Sequence, residues 1–172
     1  MSTYSPQVAL ARASFEHYVR TGTTMQRPAD VPPALLEQRA GVFVTLHMHG
    51  HLRGCIGTIA PTTACVADEI IQNAVSAAAH DPRFSPVREE ELPHIECSVD
   101  VLGAPEDIDS PDLLDVKEYG VIVSRGRRRG LLLPNLDGVD TVAEQVDIAR
   151  QKAGIARGEP FQLQRFRVVR YH

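Results

Sequence analysis

The sequence predicts an α+β fold with antiparallel sheets, organised as two successive hairpin, helix, strand units. Two pairs of short apolar runs are each joined by a tight turn, and tight turns connect only antiparallel strands. Each pair precedes a helical pattern and then a further strand, so the second half of the chain repeats the plan of the first. No GxGxxG or GxxxxGK[ST] follows a strand, which removes the two usual phosphate cradles of doubly wound nucleotide folds.

Ser5 is placed to cap a first helix, with Pro6 at its first position. Val8, Ala11, Phe15, Tyr18 and Val19 share one face, and Gly22 ends the helix. Residues 23–33 form a Pro-rich crossing segment, and PALLEQRA reads as a helical turn. The first hairpin comprises strands from Val42 to His47 and from Leu52 to Ile59. With His49-Gly50 as a two-residue turn, Met48 pairs with His51 and His47 with Leu52. Thr62 or Thr63 is expected to cap a helix running to about Ala79, with Val66, Ile70, Ala74, Val75 and Ala78 inward. Pro82 bars helical geometry at Asp81 and so ends it. HIECSVDVL alternates, giving a strand with Ile95, Cys97, Val99 and Val101 buried and Glu96, Ser98 and Asp100 on a wet face.

The second unit begins with YGVIVS and GLLLP, a hairpin around the turn RGRRR. Thr141 and Glu144 spell a T-x-x-E capping box for a helix ending near Ala153, stopped at Gly154. A final strand is expected from about Leu163 to Tyr171. The hairpins are offset by about 77 residues and the helices by about 78, which suggests a structural duplication. The organisation expected is one domain over 1–172, with lobes at about 40–102 and 117–172 and the helix 6–21 packed against them.

Of the 172 residues, 43% are hydrophobic and 23% charged. That is too apolar for a disordered chain, and no stretch reaches the ~18 uninterrupted apolar residues of a membrane span. A chain of this length buries roughly 70% of its unfolded surface, so its core needs neither a disulfide nor a structural metal. The 18 Lys and Arg against 22 Asp and Glu leave a net charge of −4, which argues against a non-specific nucleic-acid coat. The N-terminus lacks the basic start and apolar run of a signal peptide. Three cysteines, Cys55, Cys65 and Cys97, include no CxxC pair. Together these features point to a reducing cytoplasm.

Several blocks carry a family resemblance: LRGCIGT (Leu52 to Thr58), DPRFSP (Asp81 to Pro86), CSVDVLGAPEDI (Cys97 to Ile108), YGVIV, GLLLP and KAGI (Lys152 to Ile155). In this order they resemble the AMMECR domain family, in particular its short bacterial branch, the AmmeMemoRadiSam system protein A group. The resemblance covers nearly the whole chain. It implies a cytoplasmic two-lobed α+β fold with a cleft near LRGCIG. It also implies two partners: a Memo-type protein, similar to metal-dependent extradiol dioxygenases, and a radical S-adenosylmethionine protein. It implies no settled reaction.

Cys55 is the leading candidate for chemistry. Gly54 and Gly57 bracket Cys55 and Ile56 within a strand, where glycines mark a bulge or a close approach by ligand or backbone. Arg53 stands two positions away, and in a regular strand its guanidinium shares the thiol's face, favouring the thiolate and offering a fork to a carboxylate or phosphate. The competing account makes Cys55 a small buried hydrophobe. Asp81 and Arg83 follow the central helix: Arg83 is suited to grip an anion and Asp81 to position it. A turn aspartate and a cation at the negative end of a helix dipole explain the same pair structurally. His80 beside them is suited to moving a proton near neutral pH.

The remaining candidates are held in reserve. Ser98 and Asp100 lie on a wet strand face, Asn135 follows GLLLP, and Lys152 sits in KAGI, where it also complements the helix dipole. The histidines of HMHGH suggest a metal, but the hairpin register puts His47 and His51 on opposite faces, so no metal is assigned. The tip RGRRR lacks the interleaved aromatics of a nucleic-acid stacking platform and reads as solvated or docked. Two functions follow. The first is an enzyme, or the substrate-handling subunit of one, acting on a small anionic metabolite near Leu52 to Thr58 without any cofactor the sequence requires. The second is a non-catalytic interaction module of the same system.

Overall fold

The N-terminal helix forms where its capping signals stand. In the computed structural model, which describes residues 4–172, helix α1 spans Pro6–Thr21. The Ser5 hydroxyl accepts from the Val8 amide at 3.3 Å, and Gly22 closes the helix with φ 75°. Val8, Ala11 and Phe15 are fully buried. The short helix α2 (Pro33–Glu37) leads to β1 (Val42–Met48) and β2 (His51–Gly57). Between them His49 and Gly50 both take positive φ, 53° and 79°, and Met48 pairs with His51 and His47 with Leu52. This is the two-residue hairpin turn that the right-handed strand twist favours.

Helix α3 (Val66–Ala79) and strand β3 (Ile95–Leu102) complete the first unit's core. The cap of α3 is Cys65, not Thr62 or Thr63. Both threonines turn instead to the Glu69 carboxylate, which also takes a 2.7 Å bond from the Thr58 hydroxyl. A buried carboxylate needs its lone pairs filled, and that demand overrides the local capping preference. The expected last strand is also two strands. β7 (Gln162–Phe166) belongs to the second sheet, and β8 (Val168–Tyr171), after a break at Arg167, joins the first.

The chain divides into two compact units. One comprises the described residues up to Leu102 together with Val169–His172, and the other is Gly103–Val168. The first sheet has the order β2-β1-β3-β8. Helices α1 and α3 cover the face that carries Val42, Val44, Leu46, Cys97, Val99 and Val101. The second unit holds β4 (Glu106–Ile108), β5 (Gly120–Arg125), β6 (Arg128–Leu132), α4 (Val142–Lys152) and β7, in the sheet order β4-β7-β5-β6. Its core is Val121, Val123, Leu132, Ala149, Ala153, Ile155 and Leu163. In each unit the hairpin's first strand is central, its second strand lies at the edge, and the strand after the helix pairs with the first. The repeated plan read in the sequence is therefore a repeated topology. Among the described residues no helix is long and apolar enough to cross a membrane.

Candidate functional site

A bulge in β2 decides where the Cys55 thiol points. Continued regularly from the hairpin turn, the register would oppose Leu46 to Arg53, Thr45 to Gly54 and Val44 to Cys55. The observed pairs are Leu46 with Gly54, Thr45 with Cys55 and Val44 with Ile56, with the shift falling between Leu46 and His47. Arg53 is the extra residue. A slip of one residue exchanges the faces of everything beyond it. Cys55 thereby leaves the face of the fully buried Val44 and joins that of the half-buried Thr45, whose Oγ1 stands 3.2 Å from Sγ. Gly54 takes the core side instead, where an added Cβ would collide with the Ala77 carbonyl of α3.

β2 is an edge strand, and the residues after α3 cover its outer side at Cys55. The Cys55 N–H donates to Asp81 Oδ2 at 3.0 Å, and the Cys55 carbonyl accepts from Arg83 Nη2 at 3.3 Å. Asp81 is 4% exposed and also accepts from the Arg83 amide, from Arg83 Nε at 3.0 Å and from Nη2 at 2.8 Å. That fork is the main reason its carboxyl is lowered to about 2 in spite of burial, with the Cys55 and Arg83 amides assisting. Arg83 is raised in turn, chiefly by Asp81, with a smaller Coulombic pull from Cys55. Its side chain remains half exposed, and Nη1 makes no hydrogen bond among the described residues.

Arg53 is held differently. Nε and Nη2 fork onto Glu91 at 2.8 and 3.2 Å, while Nη1 and Nη2 donate to the carbonyls of Ser85 and Pro86. Both side chains of this ion pair are 12% exposed. Arg53, foremost among its causes, lowers the Glu91 carboxyl to about 2. Arg53 thus ties the bulge to the segment ahead of β3, and Arg83 is the arginine with donors still available.

The other sequence candidates separate. Ser98 pairs with Thr45 in register, so Cys55, Thr45 and Ser98 form one row across three strands. Asp100 is 2% exposed and forked by Arg170 at 2.7 and 3.2 Å. His80 is the exposed C-cap of α3 and sets its ring edge-on to Tyr18, at the end of an open groove of about 390 Å³ floored by Met25, Ile71 and Val75. Asn135 and Lys152 lie in the second unit. Asn135 adopts φ 56°, which asparagine tolerates better than most residues, and Lys152 Nζ donates to the Leu131 carbonyl. Cys65 and Cys97 are buried, and burial pushes the Cys97 thiol up to about 12. No group of three or more His, Cys, Asp or Glu among the described residues is placed to hold a metal. In the RGRRR turn, Arg125 and Arg128 are tied to the Pro160 and Gly154 carbonyls, and Arg128 also to Glu159.

Thr45 and Glu91 escaped the sequence reading. The turn register alone pairs Val44 with Cys55, and only the bulge brings Thr45 there. The strand glycines were the available signal for that bulge.

These features define a two-sheet α+β protein with a thiol displayed on a bulged edge strand. The chain belongs to the AMMECR1 family, whose model matches residues 8–172. It is 50% identical to a Thermotoga maritima protein over 168 residues, covering 96% of this chain and 97% of that one. It is 48% identical over 167 residues to protein CA_C1420 of Clostridium acetobutylicum, covering 96% of this chain but only 36% of that longer relative. The crystal structure of the uncharacterized protein PH0010 from Pyrococcus horikoshii superposes with a TM-score of 0.87 at 34% identity, covering 95% of this chain and 88% of that one.

Proposed function

We propose that this protein handles a small anionic metabolite at the Cys55 face of β2, as an enzyme or as the substrate-handling subunit of one. Cys55 serves as nucleophile or acid/base group, Arg83 anchors the anion, and Asp81 positions Arg83. One observation carries this reading: the thiol of the partly buried Cys55, 3.2 Å from a hydroxyl, stands beside an arginine locked in place by a buried carboxylate. Because Asp81 has already ordered the guanidinium, a carboxylate or phosphate meeting Nη1 incurs little further entropic cost. Arg53 supports the strand from its Glu91 fork. The Memo-type and radical S-adenosylmethionine proteins that the family resemblance implies are the proposed source or recipient of the metabolite.

The test is alkylation of the native protein by iodoacetamide from pH 5 to 9, with the modified cysteine located by mass spectrometry. Cys55 is expected to react with an apparent pKa below the ordinary ~8.5, more slowly in millimolar inorganic phosphate, and without that protection in Arg83→Gln. A Cys55 that stays inert until denaturant is added refutes the reading. The alternative, a non-catalytic interaction module, draws on the way Asp81 and Arg83 satisfy both backbone groups of an edge-strand residue, a purely structural duty. It requires co-purification with a Memo-type partner that survives Cys55→Ser.

A further inference from the structure

The face of the first sheet opposite Val44 and Val99 carries a second row beside Cys55, Thr45 and Ser98. His47 stands two residues along β1 from Thr45, opposite Leu52 on β2 and Glu96 on β3. Opposed residues share a face, as do residues two apart in a strand. One face therefore carries Cys55, Thr45 and Ser98 in one row and Leu52, His47 and Glu96 in the next. Cys55 and His47 are diagonal neighbours, a relation that sets Cα atoms about 7–8 Å apart with the Cβ atoms nearer, within reach of an imidazole. His47 is half-buried, and its ring makes no hydrogen bond among the described residues. Glu96 is exposed directly across from it.

We propose that His47 is the proton acceptor for the Cys55 thiol and that Glu96 is the positioning carboxylate for its imidazole, a Cys, His, Glu array laid across three strands. The proton leaves Sγ for an imidazole nitrogen: the S–H bond breaks, an N–H bond forms, and a thiolate and an imidazolium remain. Glu96 acts from its place directly opposite His47 on β3. Other charged groups near Cys55 include Arg83 and Asp81 from the segment after α3, the Arg53 and Glu91 pair at the bulge, and, in the row beyond Ser98 on the same face, Asp100 with its Arg170 fork. Arg83 stays cationic throughout pH 5–9, so its pull on the thiolate is constant there.

The inference rests on the thiol reading and is tested separately from it. In His47→Gln and His47→Asn the apparent pKa of Cys55 alkylation is expected to rise by about one unit, with a rate near pH 6.5 about tenfold lower. In Glu96→Gln it moves the same way by less. In the folded wild type and in Cys55→Ser, the imidazole of His47 is followed by NMR across the same range. The two proteins should titrate differently, because one of them carries the thiolate. Superimposable His47 titrations overturn the array, as does a His47→Gln alkylation profile that overlays the wild type. Cys55 reacting at low pKa with that unchanged profile overturns His47 alone, while an inert Cys55 overturns the thiol reading with it. The NMR comparison needs no His47 variant and holds if those variants fold poorly.

Discussion

Asp81 and Glu69 are both buried carboxylates, and they are kept charged in opposite ways. Asp81 is paired to an arginine, whereas Glu69, fully buried, takes its bonds from the hydroxyls of Thr58, Thr62 and Thr63 and the amides of Thr62 and Thr63. Desolvation is the largest influence on Glu69 and raises it, yet the hydrogen bonds together outweigh it and the carboxyl is lowered. A buried amide in its place presents an NH2 to groups that are themselves donors. Glu69→Gln is therefore expected to cost about 2–4 kcal/mol in urea unfolding at pH 7. Asp81→Asn keeps the shape but halves the acceptor set facing Arg83, at an expected cost of about 1–3 kcal/mol by the same measurement. The cysteines sort by the same logic of burial. Iodoacetamide at pH 7.5 is expected to label Cys55 well before Cys97, whose thiol is held near 12, and a first label on Cys97 would contradict the packing described.

At the level of elements, two glycines set how closely a helix lies on its sheet. Gly54 in β2 meets the Ala77 carbonyl of α3, and Gly130 in β6 meets the Ala149 carbonyl of α4 and the amide of Ala153, which caps it. A methyl at either place pushes against helix backbone, which has no rotamer with which to yield. Gly54→Ala and Gly130→Ala are each expected to lower stability by about 2–3 kcal/mol, seen as a lower thermal midpoint. Smaller losses would mean the helices can withdraw. This close approach also separates what was legible in the sequence from what was not. The hairpin turn is local: His49-Gly50 fixes the first two pairs through its own φ angles, and the pairing matched. The bulge at Arg53 is not local, because it serves to bring Gly54 beneath a helix some twenty residues later in the chain. The same limit applies to the α3 cap, where Thr62 and Thr63 answer to Glu69, and to the last strand, divided at Arg167 because its halves pair in different sheets. Cys55, Asp81 and Arg83 were legible as a group from motif and chemistry. The separate allegiance of Arg53 to Glu91 was not, since it depends on the segment before β3.

For the whole molecule, the recurrence of one topology in both units leaves β2 and β6 at sheet edges, and the edge at β2 is closed by ionised side chains. Asp81 secures the Cys55 backbone, and Glu91 holds the Arg53 fork. Both carboxyls stand at about 2 in the folded protein, against ordinary values of 3.8 and 4.5. A carboxyl lowered by folding contributes stability that is fully present above its unfolded pKa and is lost as pH falls through the folded one. The window is thus from about pH 4.5 down to about pH 2. Arg83 is half exposed, so solvent screening reduces the Asp81 contribution to about 1–2 kcal/mol. Urea midpoints taken from pH 7 to 2 should hold steady to about pH 4.5 and then decline, with a shallower decline in Asp81→Asn, which has already lost its share at neutral pH. Hydrogen exchange is expected to find the first opening at this edge. As Asp81 takes up a proton, the Cys55 amide loses its charged acceptor, and its protection should fall at a higher pH than that of Val44 or Val99, whose strands lie inside the sheet. Uniform loss of protection at all three amides would show that the carboxylates at β2 do not hold the edge.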